Sequence, residues 1–144
     1  MLGRYRSDIV QVVCGVLTPF IQVFALYVIF HAHYGPGGGF QGGVLLGVSA
    51  MLSRLYLDKE TSHRRFPPKL AMALAAIGML VYVLTGLIPM FAGGMFLDYA
   101  HLPIPWVSGP YLRYYGILIV EIGIALAVAG TLVLVFDTLV EERQ

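Results

Sequence analysis

The chain has 144 residues, 58% of them hydrophobic and only 12% charged, with a formal net charge of +1. Soluble domains carry about 25% charged residues, so this composition points to an integral membrane protein with no additional soluble domain. The near-neutral balance gives no reason to expect nucleic acid or an acidic substrate, and a single cysteine, Cys14, excludes an internal disulfide.

Four transmembrane helices are expected in an all-α integral membrane protein, forming one domain over residues 1–144. The first span covers about 9–33. Arg4 and Arg6 precede it in the manner of a signal peptide, but its apolar run exceeds the usual h-region and has no A-x-A-like cleavage site, so it reads as a retained helix. Gln11, Gly15, Thr18 and Gln22 recur at i, i+4, i+7 and i+11 and share one face of that helix. Such a polar line suits a hydrated path or interhelical hydrogen bonds, and packing is the preferred account because these residues are common glue between membrane helices.

The segment that follows, from His31 to Gly43, reads HAHYGPGGGFQGG. It matches G-x-G-x-x-G literally, but follows a membrane helix rather than a strand, so a dinucleotide site is rejected. His31 and His33 point to different helix faces with no nearby Cys or carboxylate, and no metal site or cofactor is expected. Physically, Gly35, Pro36, Gly37, Gly38, Gly39, Phe40 and Gln41 form a tight reversal that permits positive φ and close backbone approach. The start of the next helix then presents free N–H groups, a positive dipole end suited to a carboxylate.

The second span is expected over about 41–57. Its uncharged part, 42–53, also suits a re-entrant segment, and a full span relies on Arg54 snorkelling to the interface. Gly43 and Gly47 offer it a small-residue packing face. The third span is expected over 70–91. The connection after it holds Pro103, Pro105 and Pro110, a density that precludes a regular helix. Four spans place Arg4, Arg6, Arg54, Lys59, Arg64, Arg65, Lys69 and Arg143 on one side and only Arg113 on the other. The positive-inside rule makes the basic side cytoplasmic, with both termini on it, in a multi-pass protein of the cell membrane.

The fourth span, about 112–136, carries the most informative residue. Glu121 is the only charged side chain between Tyr114 and Phe136. A carboxylate deep in a spanning helix costs roughly 2.5–3.5 kcal/mol on insertion scales and marks a functional site by default. Gly116, Gly123 and Gly130 recur every seven residues and form a seam for close helix approach. Glu121 lies roughly 160° from Gly123 around the helix, so the helix is expected to be sandwiched, with another polypeptide or a water-filled cavity against the carboxylate. The functional reading is a protonatable, cation-handling group; the alternative is a neutral Glu bonded across a helix interface.

Two stretches, HYGPGGGFQGGVLLGVSAM (33–51) and GILIVEIGIALAVAGTLVLV (116–135), resemble the B subunit of Mrp-type multisubunit Na⁺/H⁺ antiporters, the MnhB type. The resemblance covers most of the chain, and the intramembrane glutamate of that family falls on Glu121. It implies a subunit, not an enzyme, that works in Na⁺ and H⁺ exchange beside large antiporter-like subunits and small helical ones. Similar subunits occur in membrane-bound hydrogenases related to respiratory complex I, and the longer Pro-rich loop departs from compact antiporter members, so the equivalent hydrogenase subunit stays open as the parent complex. A purely structural subunit and a small homo-oligomeric channel are the remaining alternatives.

Overall fold

The computed structural model describes residues 7–31 and 37–141. Arg4, Arg6, His33, Gly35, Pro36 and Arg143, which figure in the sequence reading, lie outside them. The chain forms α1 (Asp8–His31), α2 (Gly39–Tyr56), a short α3 (Lys59–Arg65), α4 (Pro68–Phe91) and α5 (Pro110–Glu141), with a 3₁₀ turn at Tyr99–His101. Two of the boundaries have a clear local cause. The Asp58 side chain accepts a hydrogen bond from the Thr61 amide at 2.8 Å and caps α3. Pro68 opens α4 at a position where its missing N–H has no helical partner.

The expected count of four spans is corrected by composition. Among the described residues, three helical segments are long and apolar enough to cross a membrane, within Asp8–His31, Lys59–Phe91 and Pro110–Glu141. α2 is not among them: its 18 residues include Gly39, Gly42, Gly43, Gly47, Ser49, Ser53 and Arg54. The physical reason lies in its surroundings. α2 packs between α1 and α5, so much of its surface meets protein rather than lipid, and small residues serve close approach better than bulky apolar ones.

Helix directions follow from the contacts. Gly42 of α2 faces Ala25 and Ile29 of α1, whereas Gly15 faces Tyr56, so α1 and α2 are antiparallel. Gly78 of α4 meets Gly123 and Ala127 of α5, and Gly130 meets Ala71 and Ala75, so this pair is antiparallel too. α2 and α5 run parallel: Gly39 lies at Glu121, Gly43 at Ala125 and Val128, and Gly47 at Ala129 and Leu132. The Asp8 end of α1 and the Glu141 end of α5 therefore share one end of the bundle with α3.

α5 is longer than the expected 112–136, and its extra C-terminal turn carries Asp137. The 92–109 connection folds back over the opposite end of the α4–α5 pair. Phe96 lies against Gly86, and its ring meets Tyr82 edge-on at 6.2 Å between centroids. Tyr99 and Leu102 lie against Gly116. Gly116 thus receives a loop, while Gly123 and Gly130 receive α4.

Candidate functional site

Glu121 stands about 17 Å along α5 from Pro110, at 1.5 Å per residue, level with the first turn of α2. A methyl group added at Gly39 would lie 2.8 Å from the Glu121 Cα and closer still to its carbonyl, so only glycine lets α2 approach the α5 backbone here. A methyl at Gly38 would lie 3.8 Å from Glu121 Oε1. Gly38 also has φ +149, in the region that favours glycine. The N-terminus of α2, with no side-chain cap, therefore lies directly beside the Glu121 carboxyl group. Its first amides are the positive end of the helix dipole, which favours a neighbouring negative charge by roughly 0.3–1 kcal/mol, and up to about 2 in partly buried geometry.

Glu121 Oε2 is closed off from the surface within this chain. Its own α2 lies against Glu121, because the glycines let that helix start against α5, and the residue as a whole is half-buried within this chain. Tyr99 completes the surroundings from the connecting loop. Burial raises the pKa of its hydroxyl above the usual 10.0, with the neighbouring Tyr82 and Glu121 adding to the shift.

At the other end of the α2–α5 pair lies a second charged group. Arg54 Nε donates to Asp137 Oδ1 at 3.0 Å and its Nη2 to Oδ2 at 2.9 Å, a two-pronged pair with side chains only 6% and 12% exposed. Nη1 also donates to Ser62 Oγ at 3.0 Å, and Nη2 to the Phe66 carbonyl at 2.7 Å. One guanidinium thus joins α2, α3, the α3–α4 junction and α5. By sequence alone Arg54 is a snorkelling residue and the fourth span ends before Asp137. The available signal was an arginine near the end of one helix and an aspartate near the end of another, a match only once the two run parallel.

The polar line on α1 divides. Thr18 is buried, and its hydroxyl donates to the carbonyl of Cys14 in its own helix at 2.7 Å. Thr18 and Gln22 line a cavity of about 380 Å³ between α1, α2 and α3, whereas Gln11 lies a turn away from it in the first turn of α1. Neither Thr18 nor Gln22 is brought to Glu121. Phe40 and Gln41 instead line a hollow against Phe24 and Val28 of α1, and Gly37 is half-buried at the approach to α2.

Residues 9–134 match a family model described as a domain related to the MnhB subunit of Na⁺/H⁺ antiporters. The chain is 33% identical over 138 residues to mnhB2 of Staphylococcus aureus (strain Newman), named for an antiporter subunit, covering 93% of this chain and 95% of that one. It is 30% identical over 131 residues to the protein of the same name from Staphylococcus epidermidis (strain ATCC 12228), covering 90% and 92%. Among solved structures it resembles the Mrp complex from Dietzia sp. DQ12-45-1b, with TM-score 0.69 and 28% identity over 92% of this chain. There it corresponds to only 14% of a much longer polypeptide.

Proposed function

The chain belongs to the family of domains related to the MnhB subunit of Na⁺/H⁺ antiporters, and we propose that it serves an Mrp-type complex with Glu121 as a protonatable group beside the cation path. The family is one of transporter subunits, not of enzymes. The observation that carries the role of Glu121 is the seating of the α2 N-terminus, through Gly38 and Gly39, on that carboxyl group. A carboxylate in a spanning helix requires compensation, and the positive end of the α2 dipole contributes to it. In this reading the carboxyl group gains and loses a proton as the complex works.

In this reading the end of the bundle that carries α3, Arg54 and Lys69 faces the cytoplasm, by the excess of basic residues there. The Glu121 end, with α2's first turn and the 92–109 loop, faces outward, in the cytoplasmic membrane. The large antiporter-like subunits would supply the rest of the path for Na⁺ and H⁺.

Glu121→Gln tests the reading. In everted vesicles that carry the assembled complex, Na⁺-driven proton movement should fall at least tenfold, while the chain still co-purifies with its partners in mild detergent. Unchanged exchange in an intact assembly would leave the chain a structural subunit.

A further inference from the structure

The cavity between α1, α2 and α3 has a chemistry unlike that around Glu121. Its polar lining is Thr18, Gln22, Ser53, Tyr56, Ser62 and Arg65, and no carboxylate takes part. Two of the three α2–α3 arginines are already engaged: Arg54 by Asp137, and Arg64 by Glu60 at 2.8 Å on the exposed surface. Arg65 has no hydrogen bond or ion pair among the described residues and stands exposed on the cavity wall. Ser62, only 2% exposed, is fixed by accepting from Arg54 Nη1, which leaves its own O–H as a donor. Tyr56 and Gln22 add a hydroxyl and an amide.

A site with an open guanidinium, several hydroxyl or amide donors and no acid has the wrong sign for a cation and the right one for a phosphate, which an arginine fork can bind with two parallel hydrogen bonds. Its volume of about 380 Å³ falls in the range of small-ligand sites, roughly 300–1,000 Å³. Its place is also specific. It lies at the basic end of the bundle, where α1 leaves large apolar side chains such as Val16, Leu17 and Phe20 exposed. Basic pockets between membrane helices at such a level suit anionic headgroups.

We propose that this cavity binds the phosphate headgroup of an anionic phospholipid, with Arg65 as the charged ligand and Ser62, Tyr56 and Gln22 as hydrogen-bond partners. The acyl chains would lie along the exposed face of α1. Thr18 and Gln22 then belong to a lipid site, not to the cation path. The proposal does not depend on the role of Glu121.

The test uses the complex purified from its native membranes in mild detergent, washed at length, with bound lipids quantified by mass spectrometry. The wild-type complex should keep one more phosphatidylglycerol or cardiolipin per copy of this chain than Arg65→Gln, at equal subunit composition. Arg64→Gln, whose side chain lies on the exposed surface, should match wild type. Equal retention in wild type and Arg65→Gln overturns the site, and equal loss in both variants reduces it to general surface charge. Binding of millimolar glycerophosphate to wild type but not to Arg65→Gln, with no difference in retained lipid, would mark a site for soluble phosphate and overturn the lipid assignment.

Discussion

Replacement of Asp137 by alanine should be among the most damaging single changes in the chain. The Arg54 side chain is 6% exposed and holds four hydrogen bonds, two of them to the Asp137 carboxylate at 2.9 and 3.0 Å. After Asp137→Ala the guanidinium keeps only two neutral acceptors, Ser62 Oγ and the Phe66 carbonyl. Breaking a buried pair on one side costs about 3–5 kcal/mol, because a charge is left buried without its partner. At 1.4 kcal/mol per factor of ten that is roughly a 10²- to 10⁴-fold loss in the folding equilibrium. Replacing both partners by leucine removes the charge with its partner and should cost far less. The assay is heating of the purified complex followed by gel filtration, with the midpoint for loss of this subunit compared among wild type, Asp137→Ala and the Arg54→Leu/Asp137→Leu double variant. The single variant should melt lowest and accumulate least in membranes. A single variant as stable as the double one would refute the reasoning and reduce the pair to a weak surface contact.

Gly39→Ala should push α2 away from Glu121, since the added methyl meets backbone that cannot rotate aside. Overpacking costs roughly 1–3 kcal/mol in well-packed interiors, so both the level of the chain in membranes and ion exchange should fall, and wild-type values for both would contradict the close approach. Tyr99 should titrate above the usual 10.0, because burial, Tyr82 and Glu121 all favour its neutral form. Its contribution to stability is complete below the unfolded-state pKa and is lost as pH rises through the higher folded-state value. The ultraviolet phenolate difference between wild type and Tyr99→Phe, recorded against pH, checks this, and a titration at or below 10.0 would contradict it.

Much of the architecture was legible because hydropathy and small-residue spacing are local signals. The recurrence of Gly123 and Gly130 indicated a close neighbour, and the structure places α4 there. Glu121 stood out as the one charge in a long apolar run. What the sequence could not show was pairing between distant segments. The Gly-rich start of α2 read as a positive helix end suited to a carboxylate, but nothing local linked it to Glu121, some 80 residues on. Asp137 was missed for the same reason, compounded by an α5 that runs on to Glu141. α2 misled in the other direction. Its glycines and serines place it below the apolarity of a free-standing span, because it is sheltered between α1 and α5. The α3 helix was missed although Asp58, three residues before Thr61, is an ordinary capping signal.

A Glu121 that takes up and releases a proton in the working complex must give a carboxyl signal that follows Na⁺. Difference infrared spectroscopy of the purified complex, stepped between low and high Na⁺ at constant pH, tests it most directly. A protonated-carboxyl C=O band that changes with Na⁺ is expected in wild type and should be missing from Glu121→Gln. The same band in both proteins, or no Na⁺-dependent carboxyl signal at all, would contradict it.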